Sequence, residues 1–170
     1  MEILKAATDW AKAELVSTPF FALAGIVFLS VSFGLWQVGK TDLAKAYVIP
    51  TLVAGTLLVI IGAGLFYTNK KRVTQFEISY KADSSLFIAS ELERAEATLK
   101  EYKNIVFTAI PIIILICATV VFFVNSPIWR ASMITSILML SVIMLIDGLA
   151  HARIAEYNQK LLQAKSEILE

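Results

Sequence analysis

The chain has 170 residues, 58% of them hydrophobic and 17% charged, with a formal net charge of +1 and one cysteine. A soluble domain is usually about 45–50% apolar, so the excess, concentrated in charge-free runs, excludes an ordinary soluble globule. The near-neutral charge gives no electrostatic reason to bind nucleic acid, and the lone Cys117 permits neither an intramolecular disulfide nor a thiol-based metal cluster.

Positions 15–39, 46–69, 104–129 and 131–146 carry no charge, which gives runs of 25, 24, 26 and 16 residues. Crossing about 30 Å of hydrocarbon at about 1.5 Å per residue takes roughly 20 residues. Each run therefore predicts a transmembrane helix, the fourth by continuing past an interfacial Asp147 through Gly148, Leu149 and Ala150. The spans fall near 17–38, 47–67, 105–125 and 130–150.

The first 16 residues form an amphipathic arm. Its Met-Glu-Ile-Leu-Lys start is acidic as well as basic, and the apolar run behind it is too long for a cleaved signal peptide. Ile3, Ala7 and Trp10 either pack on the rest of the molecule or lie along the membrane surface. Residues 17–67 make the first transmembrane hairpin, turning at Gly39-Lys40-Thr41-Asp42. Residues 105–150 make the second, turning at Asn125-Ser126-Pro127. Trp36, Tyr47 and Trp129 mark the outer interface, and Trp10 and Tyr67 the inner one. Pro19 and Pro111 lie in the first turns of their spans and predict bends there. Small residues four apart, Ser30 with Gly34, Thr51 with Gly55 and Ser132 with Ser136, suit close helix packing in lipid.

Four spans put both termini on one side. Twelve Lys and Arg residues lie on that side against Lys40, Lys45 and Arg130 on the other, so the positive-inside rule makes it the cytoplasm. The triplet Lys70-Lys71-Arg72 directly after the second span is the strongest topological anchor and is placed to touch anionic lipid.

The cytoplasmic segment 68–104 and the tail 151–170 change period. Ile88, Leu92, Ala95, Leu99, Tyr102 and Val106 follow at +4, +3, +4, +3, +4, and Ala150, Ile154, Tyr157, Leu161, Ala164 and Ile168 repeat the alternation of a coiled-coil seam. A hairpin centred near Pro127 sets Tyr102 level with Arg153 and Ile88 with Glu167. Asp83, Ser84 and Ser85 supply N-cap chemistry for the helix entering the third span. The fold class is an all-α integral membrane protein with four transmembrane helices and helical cytoplasmic extensions paired as an antiparallel stalk. Two heptads clear of the bilayer are marginal for an autonomous coiled coil, so the seams argue for self-association.

No phosphate loop, His-Glu-x-x-His, paired cysteines or supported Ser-His-Asp set occurs; an enzyme is not expected, nor any cofactor or metal. His151 lies four residues after Asp147 on one helix face, where the fourth span leaves the bilayer. The pair is the candidate for gating or pH sensing; interfacial packing is the plainer reading. In layout the chain resembles the membrane effectors of bacterial antiphage systems, a resemblance of architecture over the whole chain that rests on no motif. It implies a pore in the bacterial inner membrane, restrained by a cytoplasmic regulatory protein or ligand. The sequence thus leads to a homo-oligomeric pore-forming or ion-conducting protein. The alternative is a non-conducting scaffold recruiting a cytoplasmic partner, and a lipid-directed enzyme comes third.

Overall fold

A computed structural model describes the backbone of residues 2–169 and the side chains of residues 2–167. Ile168, expected on the stalk seam, falls outside the described side chains. The described chain is all helical: α1 (Glu2–Ser17), α2 (Pro19–Val38), α3 (Asp42–Ala82), α4 (Ser84–Glu101), α5 (Ile110–Phe123) and α6 (Pro127–Leu169), with a π-helical segment, Tyr102–Ala109, joining α4 to α5. These elements make four rods, 2–38, 42–82, 84–123 and 127–167, each long and apolar enough to cross a membrane.

The turns are where local chemistry places them. Thr41 is extended and its Oγ1 accepts from the Ala44 N–H at 3.1 Å, starting α3. Asp83 is extended as well, and its Oδ1 accepts from the Leu86 N–H at 2.9 Å, so one residue ends α3 and caps α4. Two of the three span prolines act as breaks. Pro19 separates α1 from α2, and the segment before Pro111 widens to π geometry, with the Ile110 N–H reaching back to Ile105 O. A proline has no N–H and its ring collides with the carbonyl one turn back, and a widened turn absorbs that collision. Pro50 stays inside α3. There the nearby carbonyls find side-chain donors: Thr51 Oγ1 donates to Tyr47 O at 2.7 Å, and Ser32 Oγ of α2 donates to Val48 O at 2.7 Å.

Outside the apolar runs the rods form a closed bundle. α1 packs on α3 and α6, and α4 packs on α6 and α3. Its core gathers Ile3, Ala7, Trp10, Phe76, Phe87, Ile88, Leu92, Ala95, Ile154, Tyr157 and Leu161. Every described seam residue is buried or half-buried in this one chain, Leu161 completely. The seams are satisfied by α1 and the end of α3, and so give no argument for association between copies. Trp10 is also not an interfacial anchor: it is 8% exposed and stacks on Tyr157 with ring centroids 5.3 Å apart.

The apolar halves of the same rods are arranged differently. α2 packs on α3, α3 on α6, and α6 on α5, with α2 also touching α6; among the described residues no Cα of α5 comes within 8 Å of α2 or α3. The result is an open row, α2–α3–α6–α5. In the most apolar window of each rod only 11–28% of residues are buried. The tightest joint is α2 on α3, where a Cβ built on Gly55 would lie 2.8 Å from Gly25 O and one on Gly62 2.8 Å from the Ala22 N. Of the small pairs expected to pack, Thr51 and Gly55 are buried, whereas Ser30 is exposed and Gly34 has nothing within 4 Å of its built Cβ. Ser132 and Ser136 are half-buried.

Candidate functional site at the helix junction

All four rods change from the open row to the closed bundle at one level, and a cavity of about 360 Å³ lies there. Its walls come from Glu14, Ser17 and Phe21 on the first rod, Leu65, Asn69 and Arg72 on α3, Arg94, Thr98, Tyr102 and Val106 on the third, and Ile146, Asp147 and Ile154 on α6. Such a chamber arises because each rod switches here from its apolar run to bundle periodicity, and the larger polar side chains at the switch do not interdigitate.

Two ion pairs brace it. Arg153 Nε donates to Glu14 Oε1 at 2.9 Å and its Nη2 to Ser17 Oγ at 2.8 Å, tying α6 to α1. Arg94 grips Glu91 with both limbs of its fork, at 3.0 and 2.6 Å, and the Tyr157 hydroxyl donates to the same carboxylate at 3.1 Å. Buried carboxylates are tolerable only when so satisfied. Glu14 and Glu91 are each 8% exposed.

Arg72 is treated differently. Its Nη1 donates to the neutral Asn69 Oδ1 at 3.0 Å, and its guanidinium sits 5.7 Å from the centroid of the Trp10 ring, with Arg94 at 4.5 Å from the same ring. Among the described residues it has no carboxylate within ion-pair distance. Burial, and then the charge of Arg94, lower its pKa from the ordinary value. Trp10 has an indole N–H that is buried without an acceptor.

The residues singled out in the sequence separate into groups. Of the basic triplet, Lys70 and Lys71 are exposed, while Arg72 is half-buried and turns into the cavity wall. Asp147 lines the cavity. His151, four residues on, instead meets Tyr102 and Phe107 edge-on, at 5.7 and 5.0 Å between ring centroids, against the π-helical segment. Ile88, Leu92, Ile154, Tyr157 and Leu161 are buried and Leu99 and Tyr102 half-buried. Sequence reasoning did not single out Glu14, Asn69, Glu91, Arg94 and Arg153. The available signal was that Glu14 continues the series Ile3, Ala7, Trp10 at +4, +3, +4, and a charge at a core position needs a partner. Among the described residues no three His, Cys, Asp or Glu side chains converge as a metal site requires.

Tyr102 and Tyr157 are both held protonated. Burial pushes each phenol up, helped by Asp147 at Tyr102 and by Glu91 at Tyr157. An unfolded chain releases these protons near pH ~10. The stability they confer is therefore complete below that pH and is lost as pH climbs toward the higher folded values, by about 1.4 kcal/mol per pH unit for each phenol. Melting curves in detergent from about pH 8 to about pH 11 should be level and then fall. Tyr157→Phe should remove about half of that slope and cost about 1 kcal/mol at neutral pH. A level curve across the whole range would contradict the burial of both phenols.

The fold and this chamber define a helical protein of four membrane-length rods, open along the apolar half and closed beyond it. The chain matches no protein-family model, and comparison with curated proteins and with solved structures finds no match.

Proposed function

We propose that the protein is a homo-oligomeric, pore-forming or ion-conducting protein of a bacterial inner membrane, with both termini in the cytoplasm. The observation that carries this reading is the open row of apolar rods, with α5 touching neither α2 nor α3. Lipid supplies no hydrophobic drive for helix association, so packing surfaces and buried polar groups decide who associates. The outer half of the α3–α6 joint offers both. A groove of about 490 Å³ runs between Ile49, Pro50, Val53 and Leu57 of α3 and Ser132, Thr135, Ser136 and Met139 of α6. Thr135 is 3% exposed and its hydroxyl has no partner, whereas most other threonines in these helices donate to the carbonyl four residues back. Several rows closing around a common axis would place this groove and the junction cavity at opposite ends of one α3–α6 face. Asp147, in the cavity wall, and His151, against the π-helical segment, are the groups through which the closed bundle acts on such a path, in response to a cytoplasmic partner or ligand.

The scaffold reading is favoured by one observation. Ile78 and Leu86, on the bundle and far from the apolar runs, are 71% and 66% exposed, which suits recruitment of a partner. Purified protein in planar bilayers separates the two. Pore formation predicts discrete conductance steps, changed in amplitude or open time by Asp147→Asn. Silence at every voltage and pH from protein that is inserted and assembled would leave the scaffold.

A further inference from the structure

We propose that the junction cavity binds a phosphate-bearing anion, with the Arg72 guanidinium as its principal contact and Arg94 beside it. The inference does not depend on conduction; it rests only on the cavity and on membrane insertion at the basic triplet.

Two observations converge. The first is charge without a counter-charge. Glu91 is fully engaged by Arg94 and Tyr157, and Glu14 by Arg153, while Arg72 has only an amide oxygen and a ring face. A half-buried guanidinium keeps five donors in a planar fork; one is used by Asn69, and the rest match the geometry of a phosphate. The Trp10 ring, which lines the same cavity, lies against the guanidinium and offers it no acceptor atom. A ligand rich in acceptors and poor in donors satisfies the free limbs of the fork. The second is place. Arg72 directly follows exposed Lys70 and Lys71 at the end of the second apolar run, the level at which lipid phosphates lie, and the chamber of about 360 Å³ is ample for a phosphate group and its ester. The remaining carboxylates do not compete: Glu101 is exposed, and Asp147 pairs with neither arginine.

Trp10 is a built-in reporter. A Trp36→Phe/Trp129→Phe variant retains it as the sole tryptophan. Its emission would be titrated, in an uncharged detergent, with dihexanoyl phosphatidic acid, with inorganic phosphate, and with dihexanoyl phosphatidylcholine as the zwitterionic control. Saturable change is expected with phosphatidic acid and little with phosphatidylcholine. A matching response to inorganic phosphate assigns the site to the free phosphate group, and its absence assigns it to a lipid headgroup. Arg72→Gln should weaken binding about tenfold or more, and Arg72→Lys, which keeps the charge but not the fork, should weaken it by less. Lys70→Gln/Lys71→Gln should bind within about twofold of the parent, far short of the tenfold step. Phosphatidic acid should also raise the melting temperature of the parent and not that of Arg72→Gln, a readout that does not rely on fluorescence. No saturable response to either phosphate ligand overturns the proposal. So does undiminished binding in both Arg72 variants, or an equal loss in the Lys70/Lys71 variant, which would mean surface charge alone.

Discussion

Leu161→Asp should open the closed bundle, with the apolar rods left intact. Leu161 is 0% exposed at the centre of the bundle core. Truncating such a leucine costs about 2–5 kcal/mol, and an unpaired carboxylate in its place adds a desolvation penalty of several kcal/mol. Against a total of about 5–15 kcal/mol for a folded domain, this is decisive. The next residue provides the control: Leu162 is 46% exposed, and Leu162→Asp should be nearly neutral. Limited proteolysis in detergent reads the difference. The position-161 variant should be cut rapidly within residues 84–101 and 151–167 while the position-162 variant resists like the parent. Equal resistance of both variants would mean that the bundle core is misplaced. The same experiment distinguishes intrachain from interchain seams, because a satisfied intrachain seam predicts that the defect appears whatever the protein concentration.

The second large effect is at the α2–α3 joint. A Cβ on Gly55 would sit 2.8 Å from Gly25 O and 2.8 Å from Leu29 Cγ, and one on Gly25 2.7 Å from Gly55 O. Even if the Leu29 side chain turned away, the Gly25 carbonyl at 2.8 Å and the Leu29 N at 2.9 Å are backbone and cannot yield. Gly55→Ala should cost about 1–3 kcal/mol through overpacking, and Gly55→Leu should separate the two helices outright. Gly64, on the same helix, has nothing within 4 Å of its built Cβ. There alanine should be neutral or stabilising by up to about 1 kcal/mol, since only the backbone entropy of glycine changes. Melting of the three variants in one detergent checks the order, and similar melting temperatures for Gly55→Leu and Gly64→Ala would exclude the close approach.

The rods and turns were legible because each has a strong local cause: charge-free runs of membrane length, an Asp83 cap, a helix-breaking proline at 19. The seam positions were legible too, since Ile88, Leu92, Ile154, Tyr157 and Leu161 follow a 3.5-residue period that burial enforces. What covers them was not. A period gives the face of a helix and not the identity of its neighbour, and here the neighbours are α1 and the end of α3 as well as the other seam. Likewise the four-residue spacing rule found Gly55 but paired it by sequence with Thr51, when its partner in space is Gly25, thirty residues away. The cavity was least legible of all. Glu14, Arg72, Glu91, Arg94 and Arg153 lie far apart in the chain, and each alone reads as an ordinary boundary or surface charge. Only the convergence of four helix ends brings them together, and only the pairing of the others leaves Arg72 without a carboxylate.

The arrangement also explains why one chain supports two kinds of packing. Where water surrounds the rods, apolar seams drive closure, and burial at roughly 25 cal/mol per Å² rewards it. Where the rods are long and apolar enough to lie in lipid, lipid would remove that reward, and among the described residues the row is held by the α2–α3 joint with its glycine contacts and Ser32–Val48 hydrogen bond, by the α3–α6 and α5–α6 joints and by the smaller α2–α6 contact. A row held this sparsely has unsatisfied faces, and we propose that further copies of the chain satisfy them. The mass of the purified protein in a mild detergent, by light scattering corrected for bound detergent, tests this most directly. Self-association predicts a defined multiple of 18.8 kDa that is retained in lipid nanodiscs; a single 18.8 kDa species in both settings would rule it out.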